Sequence, residues 1–348
     1  MLQTETSTMG MPAEFANVTL AKLSETFVLE IRGLDLTGTI SDAVIDTLQE
    51  LLAHHLVLVI RDQHIDGEQQ DAITAALGKQ RDQTLHTWAP PAEADAQVGR
   101  VGKLGQLPIL NKGNQLFFIN GPELCDTDHD PNVILDMKDQ YKMHGTSCWH
   151  TGDTEKMNVE VINILSPVIV PEREGHTQFA NTTAAFAALD KAAQEKYESL
   201  RVLHCMVFPE IDFVDMPENT APVSQPLVKQ NSHTGEKFLY LNFHDMDRVV
   251  GYERAKSDAL IKDVFSKTIR EPFLYSHEWK EGDLVIWNCN GTMHRRGLVD
   301  PTTKRALRRT QVEISILQST REWDKTREAA PGEHNGEYWH PFPLKDDE

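Results

Sequence analysis

EGDLVIWNCNGTMHRR, residues 281–296, holds a turn, a strand, a loop and a histidine within sixteen positions. Gly282-Asp283 is a turn signal, and the apolar, β-branched and aromatic run behind it reads as a buried strand. Downstream, RRTQVEISIL (308–317) alternates as a half-buried strand does. Upstream, MNVEVINILS (157–166) alternates too, and HTGEKFLYLNF (233–243) predicts a hairpin whose turn holds Thr234 and Gly235. Near the start, FVLEIRGLDL (27–36) is strand-like. SDAVIDTLQELLAHH (41–55) predicts a helix capped by Ser41, with Val44, Ile45, Leu48, Leu51 and Leu52 on one face. LVLVIRDQ (56–63) reads as a buried strand, and NTTAAFAALDKAAQEKYESL (181–200) as a helix. Many short strands with a few covering helices predict a mainly β, α+β jelly-roll sandwich rather than a doubly wound sheet. No glycine-rich phosphate loop follows any strand, so dinucleotide and nucleoside-triphosphate folds are excluded.

The chain has 348 residues, 40% hydrophobic and 25% charged, enough to build a core without disulfides or a structural metal. Thirty-four basic against 53 acidic side chains give a net charge of −19, a field that repels nucleic acid and anionic membranes. Cys125, Cys148, Cys205 and Cys289 form no CxxC pair and read as reduced thiols. The first residues lack the pattern of a signal peptide, and LLAHHLVLVI (51–60) is too short to span a bilayer, so the expected location is cytoplasmic. A single domain is expected over 15–325, with polar termini at 1–14 and 326–348. Within it, an irregular stretch at about 82–146 is interrupted only by LPIL and LFFI and is expected to act as a lid or binding loop. A homo-oligomer is the default for an enzyme.

Two histidines stand out by context: His150 in WHTGDTEK (149–156) and His294 after the LVIWNCNGTM strand and loop. Arg305 and Arg309 follow His294 by eleven and fifteen positions. Four apart on a strand, they share a face and suit a dicarboxylate. In order along the chain, VLEIRGLDL, the WHT block, EGHTQFAN, PLVKQNSHTGEKFLYLN and WKEGDLVIWNCNGTMHRR resemble the taurine dioxygenase (TauD/TfdA) family of Fe(II)- and 2-oxoglutarate-dependent oxygenases. The 82–146 stretch departs from it by its length. The resemblance implies a double-stranded β-helix and an oxidoreductase using Fe(II), 2-oxoglutarate and O2. It implies His150 and His294 as metal ligands, Thr177 as a cofactor-binding residue, and Arg305 and Arg309 at the two cofactor carboxylates, Arg309 at the distal one. Neutral imidazoles suit ferrous iron.

The family triad is His-x-Asp…His, and here the Asp position is Gly152. Asp153 can replace the lost ligand if a bulge reverses its direction, which would leave a hydroxylase; Glu155 has the right parity but lies farther along. The site can be inactive, leaving a non-catalytic 2-oxoglutarate-binding protein, or the glycine can be an introduced change. The third alternative, preferred because the rest of the constellation is intact, is that Gly152 opens a position for chloride. His-x-Gly resembles the aliphatic halogenases of the superfamily. Glycine removes a carboxylate that would occupy the position and repel an anion, and chloride restores the lost charge. A substrate radical would then collect chlorine instead of hydroxyl. The expected partner is a small molecule with an unactivated C–H bond. His86 and Lys156 are weak substrate candidates, while Arg295 and Arg296 are expected to be solvated or salt-bridged, and Trp149 and Trp287 to pack the core.

Overall fold

The computed structural model describes residues 11–79, 106–111, 114–120, 149–152, 154, 159–170, 172–204, 223–231, 233–243, 245–297 and 304–315. Strands β1 (Thr19–Lys22) and β2 (Val28–Arg32) lead into helix α1 (Asp42–His55), strand β3 (Val57–Ile60) and helix α2 (Gly67–Leu77). Ser41 caps α1 by accepting from the Val44 amide, and the five expected apolar residues are buried. Asp66 and Gln69 form a reciprocal capping box at the start of α2. Strands β4 (Gln106–Asn111) and β5 (Asn114–Asn120) contain LPIL and LFFI, so this part of the irregular stretch is sheet. The rest of 82–146, including His86, lies outside the described residues.

Then come β6 (Val159–Ile169), β7 (Thr177–Asn181), α3 (Thr182–Ala187), α4 (Lys191–Glu198) and β8 (Arg201–His204). The helix expected over 181–200 is two helices. Asn181 caps α3, and Asp190 caps α4 by accepting from the Ala193 amide, which ends one helix and starts another. Strands β9 (Val223–Pro226), β10 (Val228–Gln230), β11 (Lys237–Leu239) and β12 (Met246–Val249) precede helix α5 (Arg254–Thr268), and β13 (Leu274–His277), β14 (Leu284–Asn288), β15 (Thr292–Arg296) and β16 (Lys304–Ser315) complete the chain order. The β10–β11 hairpin turns where expected, with Gly235 at φ +77° and the Asn231 side chain accepting from the His233 and Thr234 amides.

The large sheet runs β1-β2-β3-β14-β6-β16-β5-β4 and the smaller β13-β7-β15. One face of the large sheet, carrying Ile162, Ile164, Leu284, Ile286 and Val312, packs with α1 and α2 residues such as Leu48, Leu52, Ile73 and Leu77. The opposite face, carrying Val59, Val161, Leu165, Val285, Trp287 and Leu307, packs on Phe179 of β7 and on Trp279. Full burial of each such side chain stabilises by about 1.5–3 kcal/mol. This alternation sends Arg305 and Arg309 to the same side as Leu307, because the bulge between Ala306 and Leu307 skips a residue of β6 and leaves β16 regular. The result is an α+β jelly roll whose space between sheets receives residues from β6, β7, β15 and β16. No described helix is long and apolar enough to cross a membrane.

Candidate active site

His150 and His294 meet across a two-way backbone bridge, each amide donating to the other's carbonyl at 3.0 and 2.8 Å. Paired residues of an antiparallel bridge point the same way, so their rings lie together, with centroids 4.2 Å apart. Phe179 stacks against His294 at 6.3 Å, and the Trp287 indole N–H donates to His294 Nδ1 at 3.3 Å, fixing the ring's plane. Burial, with His150 and the Arg309 charge nearby, holds His294 well below the usual imidazole range. Burial thus favours the neutral imidazole that a metal requires; with Nδ1 accepting from Trp287 the ring proton sits on Nε2, and a metal at Nε2 would need that proton moved to Nδ1.

Two residues after His150 comes Gly152. A Cβ built there would lie 3.0 Å from Val161 Cβ, 3.2 Å from Val161 Cγ2 and 3.4 Å from Cys289 Cβ. The segment is held against this wall by Thr151, whose hydroxyl donates to the Cys289 carbonyl at 2.6 Å. Cys289 is buried, and burial pushes its thiol up to about 12, so it stays protonated. Among the described residues no three His, Cys, Asp or Glu side chains form a metal cluster. Asp153, Glu155 and Lys156 lie outside those residues. Thr154 turns toward Asn242 and Asp245, hydrogen-bonding both at 3.1 Å.

Farther along, Arg296 pairs with Thr177 in the β15–β7 register, two positions beyond the His294–Phe179 pair and thus about 7 Å away. Arg305 reaches that point. Its Nε donates to the Gly175 carbonyl at 2.7 Å and its Nη2 to the Thr177 hydroxyl at 3.3 Å. Arg305 is only 4% exposed and has no carboxylate partner among the described residues. Burial, with Arg296 beside it, pushes its guanidinium down to about 9, so it remains a cation at neutral pH. Among the described residues this buried cation is held only by neutral groups, an arrangement that suits an anionic ligand.

Thus the structure brings His150, His294 and Gly152 to one end of the space between the sheets, and Thr177 with Arg305 to the other. Arg309 acts on His294 and Cys289, which places its charge at the histidine end. The expected assignment had put Arg309 at the distal carboxylate. Arg295 and Arg296 are buried rather than solvated. Arg295 donates to Gln178 at 2.7 Å and lies 4.6 Å over the Trp149 ring, and both Trp149 and Trp287 are core residues as expected. Sequence reasoning missed Trp279, whose indole N–H donates to Thr177 at 3.0 Å; the signal was its place directly before the Gly282-Asp283 turn.

These residues suit a divalent metal, with two facing imidazoles, one of them held toward its neutral form by burial, and a carboxylate, with a buried guanidinium beside a hydroxyl. Residues 19–311 match the model described as "Taurine catabolism dioxygenase TauD, TfdA family". An alpha-ketoglutarate-dependent 2,4-dichlorophenoxyacetate dioxygenase from Cupriavidus pinatubonensis is 27% identical over 290 residues, covering 81% of this chain and 93% of that protein. A pentalenolactone F synthase from Streptomyces avermitilis is 26% identical over 301 residues, covering 80% and 88%. The crystal structure of AAD-2 with Mn(II) and N-oxalylglycine superposes with a TM-score of 0.66 at 23% identity, covering 85% of this chain and 97% of that one, and supports the fold. The chain belongs to the TauD/TfdA family of Fe(II)/2-oxoglutarate-dependent dioxygenases.

Proposed function

We propose that the chain uses iron(II), 2-oxoglutarate and O2 to attack an unactivated C–H bond of a small molecule, and that it replaces the hydrogen with chlorine taken from chloride, a two-electron oxidation supplied by O2 as 2-oxoglutarate goes to succinate and CO2. Together, iron, 2-oxoglutarate and O2 supply an oxidant strong enough to remove a hydrogen atom from an aliphatic carbon. His150 and His294 would hold the metal through their imidazoles, and the Trp287 ring packs edge-on beside the second one at 4.8 Å. Arg305 and Thr177 receive the distal carboxylate of 2-oxoglutarate, and Arg309 serves its other end. Val161, Phe179, Trp287 and Leu307 wall the space with apolar surface and exclude water.

The single observation that favours halide transfer is Gly152. A position that carries a carboxylate in the family triad here carries no side chain. Without that negative charge an anion is not repelled. Hydroxylation with Asp153 as ligand is the second reading, and the named relatives speak for it: the 2,4-dichlorophenoxyacetate protein is a dioxygenase, as is a sulfate ester enzyme from Pseudomonas putida that is 24% identical over 279 residues. Their names lend no support to halogenation, so that reading rests on this chain's own residue. The experiment is to mix the iron-loaded protein with 2-oxoglutarate, O2 and candidate substrates in chloride or in sulfate, and to follow O2 uptake, succinate and product mass. Chlorinated product is expected. Hydroxylated product in both salts would establish the second reading, and 2-oxoglutarate binding without O2 uptake would leave a non-catalytic binding protein.

A further inference from the structure

We infer that Trp279 is a positioning residue for 2-oxoglutarate, acting by setting the direction of the Thr177 hydroxyl; this rests on the proposed cofactor site. A threonine hydroxyl has one proton to give and two lone pairs to accept with. At Thr177 two donors aim at that oxygen: the Trp279 indole N–H at 3.0 Å and Arg305 Nη2 at 3.3 Å. With both lone pairs engaged, the hydroxyl proton must point at an acceptor. Among the described residues none receives it, although Thr177 is 3% exposed. The acceptor the geometry calls for is a carboxylate oxygen, which the Arg305 cation beside it also attracts. Without the indole N–H, the hydroxyl is free to turn its proton elsewhere and to present a lone pair to the incoming anion.

Trp279 is itself held by a chain of buried neighbours. The His277 ring meets it edge to face at 4.6 Å and 88°. His277 Nε2 lies 3.1 Å from Asp283 Oδ2, which also accepts from the Lys280 amide at 2.8 Å. Arg61 donates to Asp283 at 2.7 Å and to Glu30 at 2.7 Å, anchoring the WKEGD segment to β2 and β3. His277 also pairs with Thr177 in the β13–β7 register, so both ends of the indole contact are fixed to one sheet. A chain of five buried side chains thus ends on one hydroxyl.

The test is the dissociation constant of 2-oxoglutarate from protein loaded with zinc(II), a redox-inert stand-in for iron, in a cycle of Trp279→Phe, Thr177→Val and the double variant. Trp279→Phe keeps an aromatic ring and removes only the donor. It is expected to weaken 2-oxoglutarate about three- to tenfold, the worth of one hydrogen bond. In the Thr177→Val background the same change is expected to cost nothing further. Equal affinity of Trp279→Phe and wild type, or full additivity in the cycle, overturns the inference. Wild-type protein that takes up no 2-oxoglutarate overturns the cofactor site itself. Should Trp279→Phe fold poorly, the indole N–H signals of the six tryptophans decide. One must shift on 2-oxoglutarate binding in wild type and not in Thr177→Val; the same shift in both overturns the inference.

Discussion

Adding one methyl group at residue 152 tests whether glycine there is a packing requirement. Ordinary carbon contacts lie at about 3.5–4.0 Å, so with a Cβ only 3.0 Å from Val161 Cβ the neighbour must give by about a few tenths of an ångström. A rotamer change cannot relieve it, because the crowded Val161 atom is attached directly to the β6 backbone, and β6 is paired with β14 on one side and β16 on the other. The strand itself must move. Overpacking of this kind costs about 1–3 kcal/mol. At about 2–4 °C per kcal/mol, Gly152→Ala should melt about 2–12 °C below wild type. Val161→Ala alone should cost about 2 kcal/mol through lost burial. Combined, the two should cost less than their sum by about 0.5–1 kcal/mol, since the second removes Val161 Cγ2, at 3.2 Å, and leaves the Cβ at 3.0 Å in place. Thermal and urea melts of the metal-free proteins measure all four states. A Gly152→Ala melt identical to wild type, or strict additivity with Val161→Ala, would refute the reasoning. The same wall means that Gly152→Asp alone is an imperfect reversion to a carboxylate triad, and that Gly152→Asp with Val161→Ala should bind iron(II) more tightly than Gly152→Asp does.

Arg305→Met should raise the melting temperature of the ligand-free protein, because it replaces a buried cation lacking a carboxylate partner among the described residues, and should abolish the further rise that 2-oxoglutarate gives wild type; a fall without ligand, or a retained ligand shift, counts against the anion seat. His204 is fully buried, neither ring nitrogen has a hydrogen-bond partner among the described residues, and burial with the Lys229 charge lowers it to about 3. Between pH 6.5 and about 3 the unfolded chain therefore binds a proton that the folded chain does not, and stability falls on acidification through that window. His204→Phe should be neutral or stabilising at pH 7 and should flatten the acid limb of urea melts; an unchanged slope would exclude His204 as its source.

Much of this architecture was legible because its signals are local. Ser41 and the apolar spacing after it define α1, and Asn231, Thr234 and Gly235 define a hairpin. The overlooked α5 buries Ser257, Leu260, Ile261, Val264, Phe265 and Thr268 at helical spacing, a pattern present in the sequence but diluted by its charged residues. The break between α3 and α4 depended on Asp190 preferring a cap to a helix interior. His150, His294, Thr177 and Arg305 were readable from ordered motifs. Their division between two ends was not, since it follows from strand register: Thr177 faces Arg296, not His294. The Glu30–Arg61–Asp283–His277 chain joins residues 31 and 222 positions apart, and the crowding at Gly152 comes from Val161 and Cys289. Such contacts exist only once the sheets have closed.

The central claim, that an exogenous halide takes the place beside Gly152, is tested most directly without a substrate. Anaerobic protein with iron(II) and 2-oxoglutarate is titrated with sodium chloride, against sodium sulfate at equal ionic strength, while the visible charge-transfer band is recorded. A band that forms or shifts saturably with chloride alone is the predicted result. A fully formed band indifferent to chloride would contradict the claim and return the site to a hydroxylase ligand set.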